Sequence, residues 1–380
     1  MTNTVLTNAT IVLPDEVVHG TVTLKNGQIE DVSETLSSVP SAFDCEKQYL
    51  IPGLVELHTD NLEKHFVPRP KVTWPGQPAV IAHDSQLIAS GITTVFDAIA
   101  LGDVNENSQR LENLQLMIDA LKQASTDGLF RAEHMLHLRC EVCHEDVLNL
   151  FEDLIETPEV HLVSLMDHSP GQRQFTNMDK YRTYYQGKYH FNSDELERFI
   201  EKQKGNSLQY SDKHRRGIVD ICNKLNIPMA SHDDATQAHV EESARMGMRI
   251  AEFPTTEVAA SLSHEKGMAV MMGAPNVVRG GSHSGNIAAH ELARIGVLDI
   301  LSSDYCPASI LHAAFVLKNL ENDHDISSAI NTVSRNPAKA AKLNDRGEIS
   351  IGKRADLVLV KEVNDFPLVS HVWSQGVRCF

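Results

Sequence analysis

Eight short apolar runs recur along the middle of the chain, each followed by a longer segment with apolar positions three and four apart. They lie at 49–57, 93–98, 135–142, 161–166, 227–231, 250–253, 268–272 and 297–303. Continuous apolar runs of this length read as strands buried on both faces, and the longer segments read as amphipathic helices. Strict alternation of the two puts the chain in the α/β class with a parallel sheet. Eight units over about 290 residues is the arithmetic of a (β/α)₈ TIM barrel. A doubly wound dinucleotide fold has no support, because no G-x-G-x-x-G follows an early strand.

The two ends break this rhythm. Runs 4–13 and 18–25 are β-rich, and Asn26-Gly27 is a hairpin signal. Runs 348–351, 356–360 and 371–377 read the same way at the far end. Neither end has enough strands for a stable sheet alone, so both together are expected to build one small β-sandwich. The expected division is 1–50 with 345–380 for the small domain and 51–344 for the barrel. Segment 169–206 is long for a βα connection and rich in Tyr, Lys, Arg and Gln, which reads as a polar loop at the barrel mouth.

Composition narrows the partners. The 380 residues are 42% hydrophobic and 22% charged, ordinary for a globular protein. No stretch reaches the ~18 apolar residues of a membrane span, and the N-terminal residues lack the basic and apolar regions of a signal peptide. The cytoplasm is the default expectation. A net charge of −17 argues against nucleic acid and anionic membrane as partners. It does not argue against a small anionic substrate, since metals and local cations reverse the field inside one pocket. A homo-oligomer stays open. The six cysteines are scattered, and the lone C-x-x-C of Cys140 and Cys143 lacks the second pair a structural zinc would need. Buried thiols beside a strand end are the expectation.

Side chains just past the C-terminal ends of barrel strands meet at one face. Here the first strand ends in His58-Thr59-Asp60, the third in Glu141, the fourth in Asp167-His168, the fifth in His232-Asp233-Asp234 and the eighth in Ser303-Asp304-Tyr305. A single His or Asp is more often a surface or core group. Recurrence at strand after strand points instead to an imidazole and carboxylate donor set for zinc, or for manganese, iron or cobalt. Two residues apart at a strand end, His58 and Asp60 face the same side and can grip one ion. Glu141 could bridge to a second ion about 3.5–4 Å away. His65, His83, His134, His137, His144 and His161 fall outside that register and are read as structural.

Two further features suit an anion. Arg279-Gly280-Gly281-Ser282-His283-Ser284-Gly285 follows the seventh strand, and its glycines leave backbone N–H groups free to face negative charge. A helix expected from near Asn286 would add its dipole. Lys64, Arg69 and Lys71 follow the first strand, and Arg173, Lys180, Arg182 and Lys188 follow the fourth, interspersed with tyrosines. Arg suits bidentate phosphate contacts. A flexible, solvated loop is the bland alternative for each.

Ile51-Pro52-Gly53-Leu54-Val55-Glu56-Leu57-His58 resembles the opening of the amidohydrolase superfamily, and so do Asn336-Pro337-Ala338 and Gly352-Lys353-Arg354-Ala355-Asp356 near the end. The usual His-x-His is here His58-Thr59-Asp60, a departure. The longer strings His58 to His65, Asp167 to Phe175, Tyr184 to Tyr189 and Ser231 to Asp234 resemble one branch, the phosphonate-pathway diphosphatases. That resemblance implies hydrolysis of a triphosphorylated ribosyl phosphonate by metal-activated water, releasing pyrophosphate. It implies His58, Asp60, Glu141, His168, His232 and Asp304 as ligands of two divalent ions, zinc first and manganese or iron next. Asp304 would be the general base. Lys64, Arg69, Arg173, Lys188, Arg279, Gly280, Gly281, Ser282 and His283 would hold the phosphates. A C–N hydrolase of the same superfamily is the alternative.

Overall fold

The computed structural model describes residues 3–69, 71–104, 109–157, 159–282, 285–320 and 325–380. The chain opens with β1 (Asn3–Val12), β2 (Val17–Lys25), β3 (Gln28–Ser33), β4 (Phe43–Asp44) and β5 (Tyr49–Pro52). Then come β6 (Leu54–Thr59), β7 (Ile92–Leu101), β8 (Glu133–Glu141), β9 (Val160–Met166), β10 (Met229–His232), β11 (Ile250–Glu252), β12 (Ala269–Gly273) and β13 (Ile300–Ser302). It closes with β14 (Leu357–Val363), β15 (Phe366–Ser374) and β16 (Val377–Arg378).

Strands β6 to β13 form one eight-stranded sheet in sequence order, as expected of a (β/α)₈ barrel. The first and last strands meet. Thr59 and Asp304 form a parallel bridge, Asp304 N–H donates to the His58 carbonyl at 3.1 Å, and Asp60 N–H donates to the Asp304 carbonyl at 3.2 Å. Every residue of β6 and β7 is buried, which is why these strands read as continuous apolar runs rather than alternating ones.

The helices are α1 (Asn61–Phe66), α2 (Gly76–Ala89), α3 (Gln109–Thr126), α4 (Val147–Ile155), α5 (Met178–Tyr189), α6 (Ser193–Asn206) and α7 (Asp212–Leu225). After them come α8 (Gln237–Arg245), α9 (Glu257–Glu265), α10 (Ala274–Val278), α11 (Ala289–Arg294), α12 (Ser309–Lys318), α13 (Ile326–Asn331) and α14 (Arg335–Ala340). Among the described residues none is long and apolar enough to cross a membrane. The chain divides into two compact units, one of Met1–Asp97, Asp119–Met135 and Met272–Phe380, the other of Ala98–Ile118 and Leu136–Met271.

In the first unit both chain ends share one sheet, ordered β16-β15-β14-β5-β1-β2-β3 with β4 beside β1. Its core draws on both ends: Leu6, Leu24, Ile29 and Leu50 pack with Leu359 and Trp373. The Asn26-Gly27 turn joins β2 to β3 with both residues at positive φ, 52° and 81°, the backbone twist that a two-residue hairpin needs.

Three expectations change. Run 49–57 is two strands in two sheets, split at Gly53. A Cβ there would lie 2.2 Å from Thr93 Oγ1, so only glycine lets the chain pass. Run 348–351 is not a strand. Ile349 is buried, and pairing begins at Gly352, whose N–H donates to the Ile29 carbonyl, followed by Ile29 N–H to the Lys353 carbonyl, both at 2.9 Å. The expected polar loop at 169–206 is mostly helical, in α5 and α6. Asn177 caps α5 and Asn192 forms a capping box with Glu195 at α6. The tyrosines at 181, 185 and 189 fall on one helix face and pack with Phe175 and Phe199, so rings expected in a polar loop form a core.

Near the C-terminus of the same first unit, Arg346 and Arg354 both pair with Glu133 and both donate to Thr94 Oγ1, at 3.0 and 3.3 Å. The basic residues of this terminal motif therefore tie the returning chain to β7 and β8 rather than binding ligand.

Candidate metal centre

The second unit supplies a converging set of donors. His232 is the last residue of β10, and His168 stands two residues beyond β9. Their Nε2 atoms lie 3.5 and 3.8 Å from Asp233 Oδ2. Two ligands on one tetrahedral ion at 2.0–2.1 Å stand about 3.3 Å apart, so this spacing fits a shared cation better than direct hydrogen bonds. His168, His232 and Asp233 form a group that could hold a metal ion, with both His232 and Asp233 buried.

Each imidazole is braced from behind. The Nδ1–H of His168 donates to Glu141 Oε2 at 2.5 Å, and that of His232 donates to Glu252 Oε2 at 2.5 Å. Both carboxylates are buried, Glu141 as the last residue of β8 and Glu252 as the last of β11. A carboxylate on Nδ1 fixes the tautomer and turns the Nε2 lone pair outward, the usual arrangement behind a metal-binding histidine. Burial raises the Glu141 pKa, but the charge of His168 and its hydrogen bonds outweigh that and bring it to about 2. In turn burial lowers the His168 pKa and Glu141 more than reverses it, so the net shift is upward. Glu141 was expected as a bridging ligand. Here one oxygen holds the His168 ring and the other accepts from His168 N–H at 3.0 Å and from the Cys143 thiol at 3.2 Å.

Asp233 owes its aim to backbone strain. The residue just past β10 adopts φ 57°, a left-handed conformation that a non-glycine residue rarely takes. Its N–H donates to the Glu252 carbonyl at 2.9 Å.

The first unit supplies a second set. His58 lies near the end of β6, and Asp60 stands at the N-cap position of α1 without a side-chain capping hydrogen bond. Asp60 Oδ1 is buried without a hydrogen-bond partner. A carboxylate oxygen left so is costly unless a cation or water meets it. Asp304 also sits at positive φ, 54°, and Thr59 Oγ1 donates to its carbonyl at 2.9 Å. Beneath them Glu56 is fully buried and accepts from His58 N–H at 2.7 Å and Ser303 N–H at 2.5 Å. Burial pushes its carboxyl up to about 7, against the pull of those hydrogen bonds. The donors are imidazole nitrogen and carboxylate oxygen throughout, so their chemistry fits zinc or another first-row divalent ion.

The anion-binding candidates belong to both units. In the first unit Lys64 and Arg69 are exposed, with Lys64 donating to the Tyr305 carbonyl. Arg279 is exposed, and the space around the Cβ positions of Gly280 and Gly281 is open. Ser282 is half-buried, and His283 lies outside the described residues. Residues 274–278 form α10, so the glycine loop follows a short helix, and the next helix begins at Ala289. At six residues α11 adds little dipole. In the second unit Lys188 is exposed and lies over the rings of Tyr184 and Tyr189 at 5.6 and 5.3 Å.

Arg173 was expected to meet substrate and does something else. It is 6% exposed, and its guanidinium is committed to Asp234 and to Glu242, the latter at 2.6 Å. Its charge is already neutralised in place, and it holds the loop after β9 against the loop after β10. Sequence reasoning missed Glu252, and it gave Asp233 no role of its own within His232-Asp233-Asp234. Glu252 ends β11 and Asp233 follows directly on β10, and that register was the available signal.

Residues 193–380 match the amidohydrolase family. The chain is 52% identical over 377 residues to alpha-D-ribose 1-methylphosphonate 5-triphosphate diphosphatase of Escherichia coli (strain K12), covering 99% of this chain and 100% of that protein. Among solved structures, a prolidase complexed with N-methylphosphonate-L-proline matches with a TM-score of 0.65 at 16% identity, over 100% of this chain and 99% of that one. The 5-methylcytosine deaminase from Klebsiella pneumoniae matches with a TM-score of 0.63 at 15% identity, over 99% and 97%. At those identities the two structures speak for the fold alone.

Proposed function

The chain belongs to the amidohydrolase family, whose members are metal-dependent hydrolases, and on that premise we propose that it hydrolyses alpha-D-ribose 1-methylphosphonate 5-triphosphate to the 5-phosphate and pyrophosphate. In a (β/α)₈ barrel the strand ends open on one face. The reading assigns His58, Asp60 and Asp304 together with His168, His232 and Asp233 as ligands of two divalent ions, zinc first. Glu141 and Glu252 orient the two histidines. When bound, the metal lowers the pKa of water and polarises a phosphoryl oxygen.

Asp304 then accepts the proton of the attacking water, its carboxylate presented by the left-handed turn after β13. Lys64, Arg69, Lys188 and Arg279, with Ser282 and His283, neutralise the triphosphate; the backbone N–H groups of Gly280 and Gly281, expected to face it, donate instead to the Val277 and Asn276 carbonyls at 3.0 and 2.8 Å. Arg173 is left out of that set because its charge is spent.

The observation that carries the reading is the approach of His168 Nε2 and His232 Nε2 to Asp233 Oδ2, at 3.8 and 3.5 Å, with a buried carboxylate behind each ring. The test is a substrate panel of ribosyl mono-, di- and triphosphates beside simple amides. Turnover should rise with phosphate number. Faster cleavage of the amides would leave the family assignment standing and remove the diphosphatase reading.

A further inference from the structure

A second cluster of imidazoles and carboxylates lies in the first unit, outside the donors assigned above. Asn61, on α1 directly after Asp60, is 3% exposed. Its side-chain amide donates to Gln86 Oε1 at 2.9 Å and lies 3.1 Å from His83 Nδ1. His65 Nε2 also reaches Gln86 Oε1, at 3.1 Å. His83 Nε2 meets Asp97 Oδ1 at 2.7 Å, and His134 Nδ1 meets Asp97 Oδ2 at 2.7 Å. His134 Nε2 stands 3.5 Å from Asp84 Oδ1, whose carboxylate also accepts from the backbone N–H groups of Arg131 and Ala132, both at 3.0 Å.

His83, Asp97 and His134 bring ligand atoms within 4.8 Å of one another and so could hold a metal. The distances argue otherwise. Ligands sharing one ion stand about 3.3 Å apart, whereas 2.7 Å is a hydrogen bond with its proton in place. The contacts of Asn61 place the His83 proton. An amide nitrogen only donates, and Asn61 Nδ2 lies 3.1 Å from His83 Nδ1, with Gln86 Oε1 at 2.9 Å and His65 Nε2 farther off at 3.3 Å. His83 Nδ1 must therefore accept, so its proton sits on Nε2 and points at Asp97.

We propose that Asn61 is a positioning residue for Asp60, and that the chain Asn61–His83–Asp97 sets the orientation in which Asp60 meets its metal. Asp60 lacks a hydrogen-bond partner on Oδ1, so its aim depends on the backbone of α1's first turn. That turn is pinned by the Asn61 side chain and by Asn61 N–H to Thr59 Oγ1 at 3.3 Å. The inference rests on the assignment of Asp60 as a ligand.

The test reads zinc affinity rather than turnover. Metal-free protein is titrated with Zn²⁺ against a chromophoric chelator, for the wild type, Asn61→Ala, Asn61→Leu and Asp60→Ala. Melting temperatures of the metal-free forms are measured in parallel. Partners behind a metal ligand are worth about 10–100-fold in affinity, so both Asn61 variants should weaken zinc binding at least about tenfold. Asn61→Leu keeps the volume and loses only the hydrogen bonds, and it carries the test if Asn61→Ala fails to fold. A lowered melting temperature with unchanged zinc affinity in Asn61→Leu would overturn the positioning role. Unchanged affinity in Asp60→Ala would overturn the ligand assignment beneath it.

Discussion

Replacing Glu252 by Gln removes one negative charge from behind His232 and almost no volume. Glu252 is fully buried, and its Oε2 accepts the Nδ1–H of His232 at 2.5 Å. A hydrogen bond to a charged partner contributes about 1.5–3 kcal/mol and a neutral one about 0.5–1.5. The exchange therefore costs about 1–1.5 kcal/mol, a factor of roughly ten in metal affinity, in line with the 10–100-fold effect of such partners. If the new amide turns its NH₂ toward the ring, Nδ1 must accept instead. The proton then moves to Nε2, where the metal binds, and the loss is larger. Chelator competition on demetallated protein gives the dissociation constant, and circular dichroism checks the fold. An affinity within a factor of two of wild type, in a folded variant, would refute the claim that Glu252 orients His232.

Asp304→Asn should fold but hold metal more weakly, and when reloaded at saturating metal it should still lose several orders of magnitude in kcat, because an amide cannot accept the proton; a metal-replete, active variant would move the base to another residue. Arg279→Ala should lower kcat/KM for the triphosphate by a factor of about ten to a hundred, as expected for one charge-assisted contact, and by less for mono- and diphosphates; equal penalties across the series would take Arg279 out of the site. Stability should depend on pH through His134, which sits against the buried carboxylates of Asp97 and Asp84. Burial lowers the His134 pKa, but the charge of Asp97 and the hydrogen bonds that His134 donates to Asp84 and Asp97 raise it to about 9. A group with a raised folded pKa contributes stability that is complete below its ordinary value near 6.5 and is lost as pH climbs through about 9. Denaturant unfolding should thus show the wild type losing its advantage over His134→Gln between pH 6.5 and 9.5, and a constant gap across that window would contradict it.

Much of the barrel was legible because its strands are buried on both faces. Runs such as 93–98 and 161–166 sit inside β7 and β9. The break at Gly53 was not, because the apolar run continues unbroken from one sheet into the next and only the contact with Thr93 reveals the turn. The helices at 178–206 left signals that were passed over, namely tyrosines four apart and Asn at each cap. His168 and His232 were legible by register, whereas the roles of Glu141, Glu252 and Asp233 depend on which ring nitrogen faces which carboxylate. That is a property of side-chain orientation, which spacing along the chain does not encode. Arg173 shows the same limit from the other side: its charge is plain in the sequence, but the two carboxylates that consume it are 61 and 69 residues away.

The most direct measurement is phosphorus NMR of the products formed from alpha-D-ribose 1-methylphosphonate 5-triphosphate by protein that has been stripped of metal and then reloaded with Zn²⁺ or Mn²⁺. The account predicts no products from the stripped protein. On reloading it predicts pyrophosphate and the 5-phosphate in equal amounts, with the carbon–phosphorus bond intact. Orthophosphate with the 5-diphosphate, or full turnover by protein shown to hold no metal, would contradict it.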